Sequence, residues 1–183
     1  MRIVLKILKL FRNVVLNSIF ALVSLFIKRD DNLWVVGGWF GKRFADNSSY
    51  FFSFLSKNTS YRAIWISKST EIVENLRNQG VEAYLSWEIR GVLLSLKAKY
   101  HIVDQGPSDI NPFTSFGAIK LNLWHGFPLK RIGELIDHPH GNLQKLKSRI
   151  NDIPMLKYLL AFKNPGASWC NMLFLSTSEF ASE

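Results

Sequence analysis

From residue 33 onward the chain alternates short apolar runs with amphipathic stretches of helical period, and that alternation leaves few folds open. Leu33 to Val36, Arg62 to Ile66, Val81 to Leu85, Tyr100 to Val103, Ile119 to Leu123 and Met172 to Leu175 read as strands. Between them, Asn47 to Ser56, Ser69 to Gln79 and Trp87 to Lys97 read as helices, the second ended by Gly80. Asp137 to Phe162 carries further helical patches, and Gln105-Gly106-Pro107-Ser108-Asp109 reads as a turn. A repeated β-α-β order calls for an α/β fold: a parallel sheet with helices on both faces. With 183 residues, 48% of them hydrophobic and including six Trp and fourteen Phe, the chain has ample material for one core.

The N-terminal segment does not belong to that alternation. There are 23 Lys and Arg against 14 Asp and Glu, a net charge of +9, which implies a polyanionic partner such as nucleic acid, anionic lipid or a phosphate-rich polymer. Lys6, Lys9 and Arg12 precede, and Lys28 and Arg29 follow, an uncharged apolar run from Asn13 to Ile27. That run is shorter than the roughly 20 residues that span a bilayer comfortably. At 100° per residue, Arg2, Lys6, Lys9, Arg12, Asn13, Asn17, Ser24 and Lys28 share one side of a helix, with Ile, Leu, Val and Phe elsewhere and only Ser18 and Arg29 off the stripe. The segment reads as an interfacial helix whose cations Lys6, Lys9, Arg12, Lys28 and Arg29 face anionic lipid, with a short signal anchor and a core helix as the alternatives. A cleaved signal peptide fits poorly, because no small-x-small site follows. Nucleic acid is disfavoured: the cations concentrate at the N-terminus and in Lys145 to Arg149 rather than interleaving with exposed aromatics. The single cysteine, Cys170, excludes an internal disulfide and a cysteine-based zinc cluster and suits a reducing compartment.

The chemistry concentrates in Trp124-His125-Gly126-Phe127-Pro128-Leu129-Lys130, directly after the strand 119–123. His125 would stand at the strand's carboxyl end, where loops of open α/β sheets converge on ligands. A histidine there can accept a proton near neutral pH, and Lys130 and Arg131 can offset phosphate charge, which together suggest hydroxyl attack on a phosphate. Other features read more plainly. Gly37-Gly38-Trp39-Phe40-Gly41 lacks the spacing of a dinucleotide loop and reads as a turn. His138-Pro139-His140 lacks a carboxylate or Cys at ligand spacing, so no metal site is expected. Asp104 and Asp109 flank a turn, as Asp commonly does, and Trp34, Trp39, Trp65 and Trp87 read as core or interface aromatics.

Leu123-Trp124-His125-Gly126-Phe127-Pro128-Leu129-Lys130-Arg131-Ile132-Gly133 resembles the W-H-G-T-P-L-K-x-x-G signature of the CDP-glycerol glycerophosphotransferase family, the teichoic acid primases and polymerases. Asp46 to Phe51 is similar to that family's N-S-x-Y/F helix start, Ala63 to Ile66 to its Trp-centred strand, and Ala98 to Asp104 to its A-K-Y-x-I-x-D strand. Leu175 to Phe180 resembles the turn that closes the family's first half. Phe127 stands where the signature has Thr, so a hydroxyl contact there is lost.

The resemblance implies a GT-B type arrangement of two Rossmann-like domains. Residues 31–183 would form the N-terminal, acceptor-side domain, and residues 1–30 the membrane-associating helix. The donor domain, with the CDP-glycerol pocket and a second histidine, would be absent, and the chain alone would be inactive. In the complete enzyme His125 would act as general base, with Trp124, Gly126, Lys130 and Arg131 contacting substrate. An acceptor hydroxyl on a lipid-linked glycerol phosphate chain would attack CDP-glycerol at the cytoplasmic face of the cell membrane, with no cofactor. The alternative is a non-catalytic membrane-surface module that binds anionic lipid or polymer.

Overall fold

A computed structural model of the chain describes residues 2–124 and 172–174. The strands are β1 (Asp30–Val36), β2 (Arg62–Ser67), β3 (Ala83–Leu85), β4 (Ala98–Val103), β5 (Ile119–Asn122) and β6 (Met172–Phe174). They form one sheet in the order β3-β2-β1-β4-β5-β6, every neighbouring pair parallel. Four helices accompany them among the described residues: α1 (Arg2–Phe26), α2 (Asp46–Asn58), α3 (Thr70–Asn78) and α4 (Ile89–Lys97). The α/β class and the parallel sheet expected from the alternation are therefore present. The helical patches of residues 137–162 lie outside the described residues.

The sheet is covered on both faces because its strands are apolar on both. Val36, Trp65 and Ile102 point towards α2 and α3, packing with Phe52, Val73 and Leu76. Leu33, Val35, Ile64 and Ile66 point the other way, towards Leu94 of α4 and Ile110. Trp65 is fully buried, with the Phe44 ring edge-on at 4.6 Å and that of Phe52 at 5.7 Å. Local signals set the ends of the elements. The Ser69 hydroxyl accepts from the Ile72 amide at the start of α3, and Gly80, at φ +76°, lets Val81 N–H return to the Leu76 carbonyl at its end. Two strands start earlier than their apolar letters, β1 and β4, while β3 starts later, at Ala83 rather than Val81. β1 begins at Asp30, where the exposed Asp31 pairs with Lys99 at 2.8 Å, and β4 follows α4 with no intervening loop.

The N-terminal helix corrects one expectation. α1 does dock on the domain, and it does so through part of its polar stripe. Asn17 is buried, Asn13 and Ser24 are half-buried, and the Phe20 ring packs against Trp87 at 6.3 Å and Phe113 at 6.1 Å. The outward surface is consequently apolar: Phe11, Ile19, Leu22, Leu25 and Phe26 are all exposed, Phe26 by 83%. Lys9, Arg12 and Lys28 stay exposed as expected, and Lys6 lies on the same helix.

Arg29 is the exception. Its guanidinium turns into the fold and donates to the carbonyls of Ser95 at 3.0 Å, Ala98 at 2.7 Å and Phe116. Burial lowers its pKa to about 10, which still leaves it charged at neutral pH. An arginine that closes three backbone carbonyls joins α1 to the sheet rather than facing lipid. Beneath it His101 is fully buried, its Nε2 bonded to the Ser95 carbonyl at 2.9 Å. Burial first, and then the charge of Arg29, lowers the His101 pKa to about 3.

Candidate active site at the carboxyl edge of the sheet

The chain leaves β1 towards β2 on one side and returns through β4 on the other, so the β1/β4 pair is the point where strand order reverses. The loops that follow β1, β4 and β5 meet there. After β1, Gly37 N–H continues the ladder to the Ile102 carbonyl at 3.0 Å, and Trp39 and Phe40 then adopt φ of 50° and 56°. The segment expected as a plain turn is thus a single turn of 3-10 helix, Trp39–Gly41, carrying two non-glycine residues in the left-handed region.

One aspartate gathers the loops. Asp109 accepts from Phe40 N–H at 2.6 Å on one oxygen, and from the amides of Asp104, Gln105 and Gly106 at 2.9, 2.7 and 3.3 Å on the other. It therefore fills the turn-capping role expected of it and also ties the β1 loop to the β4 loop. Lys68 Nζ spans the same two loops, donating to the carbonyls of Phe40 at 2.9 Å and Ser108 at 2.5 Å. Burial lowers its pKa, and Asp109 opposes that shift.

Asp104 does something a turn aspartate does not. Its carboxylate reaches the first turn of α2, accepting from the Ser48 hydroxyl at 2.6 Å and the Ser48 amide at 3.2 Å. The backbone of Gly38 runs so close that a Cβ there would stand 2.4 Å from the Ser48 hydroxyl and 2.8 Å from Asp104 Oδ2, so only glycine fits. Burial pushes the Asp104 pKa up to about 6; the two Ser48 bonds oppose that shift, and Asp109 adds to it. The folded protein thus binds this proton more tightly than the unfolded chain. The resulting stability is present at pH 4 and is lost as pH rises through about 6. Asp104→Asn keeps a bond to each Ser48 group, so it is expected to be more stable than the wild type at pH 7 by roughly 2 kcal/mol, the gap closing near pH 4. Urea unfolding of both proteins across that range checks this. His101, whose contribution runs the opposite way as pH falls below 6.5, is common to both proteins and cancels in the difference.

The β5 edge carries Trp124, with φ +55°. Two asparagines hold it. Asn122 Oδ1, fully buried, accepts from Trp124 N–H at 2.8 Å. Asn47, the second residue of α2, donates from Nδ2 to the carbonyls of Leu123 at 3.2 Å and Trp124 at 2.7 Å. Trp124 is thus brought to the meeting point of the loops. His125, Gly126, Lys130 and Arg131 lie outside the described residues, as does His138-Pro139-His140. The sequence presents Asn47 and Ser48 only as part of the N-S-x-Y helix start and Asn122 only as part of the strand 119–123. Among the described residues no cluster of three potential metal-ligating side chains occurs.

The family pattern described as CDP-glycerol:poly(glycerophosphate) glycerophosphotransferase matches residues 19–170, a stretch that includes this whole edge and the Trp-His-Gly turn. The chain belongs to that family. A comparison with curated proteins finds no match. Among solved structures, the chain is similar to the wall teichoic acid polymerase TagF. One TagF structure, of a variant soaked with CDPG, is 19% identical over 82% of this chain, with a TM-score of 0.48. Another TagF structure is 18% identical, also over 82% of this chain, with a TM-score of 0.46. The chain spans about 40% of the TagF chain. The fold assignment rests on the strand order and pairing, which this chain displays directly.

Proposed function

We propose that this chain supplies the acceptor side of a CDP-glycerol-dependent glycerophosphotransferase in teichoic acid or related cell-surface polymer synthesis. The observation that carries the reading is the fixing of Trp124 at the end of β5, beside the β1/β4 reversal point, because the next residue in the chain is His125. In the proposed reaction the acceptor hydroxyl oxygen bonds to the β-phosphorus of CDP-glycerol, and the bond from that phosphorus to the bridging oxygen breaks. CMP leaves with the electron pair. The hydroxyl proton passes to the His125 imidazole, and Lys130 and Arg131 hold acceptor phosphate. No cofactor or metal takes part in this scheme.

The acceptor is proposed to be lipid-linked glycerol phosphate presented at the cytoplasmic face of the membrane. Support comes from α1, whose stretch Ile7–Phe26 is long and apolar enough to cross a bilayer and has little of its surface buried. Docked through its polar seam, the helix offers lipid an apolar side with Lys9 and Arg12 exposed near its start. The attachment is proposed to be peripheral rather than spanning, and Trp124 and Gly126 are proposed to contact the acceptor. In the family's GT-B type arrangement the CDP-glycerol pocket sits mainly on a second domain, so residues 1–183 by themselves are expected to bind the nucleotide weakly.

Release of CMP from CDP-glycerol, measured on vesicles carrying lipid-linked glycerol phosphate with the C-terminal part of TagF fused to this chain, tests the reading. Acceptor-dependent release supports it. Equal release without acceptor, or none in a folded fusion, argues for the non-catalytic membrane module instead.

A further inference from the structure

We propose that Asn47 is a positioning residue that fixes the Trp124 carbonyl, and so the peptide bond leading into His125, from across the sheet edge. The inference rests on the reading of His125 as the base, and it adds a residue to which that reading gave no part. The Asn47 carboxamide donates both to Leu123 and to Trp124, and the Trp124 carbonyl it holds at 2.7 Å belongs to the peptide bond that leads into His125. Trp124 sits at φ +55°, a conformation that a bulky L-residue occupies only when neighbours over-determine it. Here the neighbours are Asn122 on its N–H and Asn47 on its carbonyl, so both ends of one strained residue are fixed by asparagine side chains.

The position of Asn47 is itself set with unusual rigidity. The next residue, Ser48, is bonded through amide and hydroxyl to Asp104 at the end of β4. The residue before it, Asp46, also has positive φ, at 57°, and accepts from the Trp39 indole N–H at 2.5 Å. The first turn of α2 is therefore bolted to the loops after β1 and β4, and Asn47 extends that frame to the end of β5. Asn47 is exposed and contributes nothing to either core cluster, so its bonds serve the turn rather than the packing.

The isosteric Asn47→Asp tests this, because it keeps the shape and removes both donors, setting a carboxylate against two carbonyl oxygens. Amide hydrogen exchange and imidazole titration are followed by NMR on the whole chain in detergent micelles. The expected result is that Trp124 N–H exchanges about 3- to 10-fold faster, as for the loss of one or two hydrogen bonds. The midpoint of His125 titration also shifts, while amides of β1 and β2 keep wild-type exchange. Wild-type exchange at Trp124 in Asn47→Asp, or acceleration spread equally through β1 and β2, overturns the proposal. The reading of His125 fails separately: full transfer by His125→Gln in the TagF fusion removes the base and leaves the Asn47 result standing.

Discussion

His125→Gln is expected to lower kcat for glycerol phosphate transfer by about 10²- to 10⁴-fold, the range for losing general-base assistance. Glutamine keeps a polar side chain of similar reach and cannot accept the proton that the attacking hydroxyl must lose as the new bond to phosphorus forms. The affinity for CDP-glycerol is expected to stay near wild type, because the nucleotide is assigned mainly to another domain. Lys130→Ala is expected to differ in kind, raising the acceptor KM more than it lowers kcat, since a charge holding phosphate acts in the ground state as well. Steady-state kinetics on the TagF fusion, with acceptor and donor varied separately, resolve the two patterns. If a folded His125→Gln retains kcat, the turn is structural and the proton acceptor lies elsewhere.

Deleting residues 2–26 is expected to move the protein from the membrane pellet to the soluble fraction. Each of the exposed Leu, Ile and Phe side chains of α1 contributes roughly 1.5–3 kcal/mol when buried in hydrocarbon, so even a few of them outweigh the cost of immobilising the protein at a surface. The cations add a smaller, salt-sensitive share. Lys9→Glu and Arg12→Glu are each expected to weaken binding to anionic vesicles by about 1 kcal/mol or more. Vesicle flotation at two salt concentrations separates the contributions. Because α1 also covers Phe113 and Trp87 through Phe20, the deletion is expected to leave a folded but less stable domain. Protease sites introduced at both ends of α1 decide between attachment and spanning: cleavage from one side only fits a helix lying in the interface, and protection of the two ends on opposite sides establishes a spanning anchor.

The order of strands and helices was legible because burial on both faces of a parallel sheet writes continuous apolar runs, as in Ala63-Ile64-Trp65-Ile66. What apolar letters cannot show is a strand that starts on charge, so the strand read from Leu33 in fact opens at Asp30. The N-terminal helix was legible as a two-sided object, yet a helical wheel does not say which side meets protein. Asn17 reads as surface and is buried, while Arg29, next to the exposed Lys28, reads as a membrane cation and closes three carbonyls. At the site, the Trp124-His125 turn was legible from its place after a strand. Its supports were not, since Asn47 reaches Trp124 across 77 positions of sequence, and Ser48 reaches Asp104 across 56. Pairings of that kind arise only when the parallel sheet brings several carboxyl ends together.

The central claim is that the carboxyl edge at β1, β4 and β5 receives a glycerol phosphate chain. Its most direct test is chemical-shift mapping of the isotope-labelled chain with a lipid-free glycerol phosphate oligomer, which requires neither donor nor turnover. The predicted result is saturable perturbation centred on the amides of Gly38, Phe40, Asn47 and Trp124, with α1 silent. Perturbation confined to Lys9, Arg12 and Lys28, or none at concentrations that saturate the TagF fusion, would contradict it.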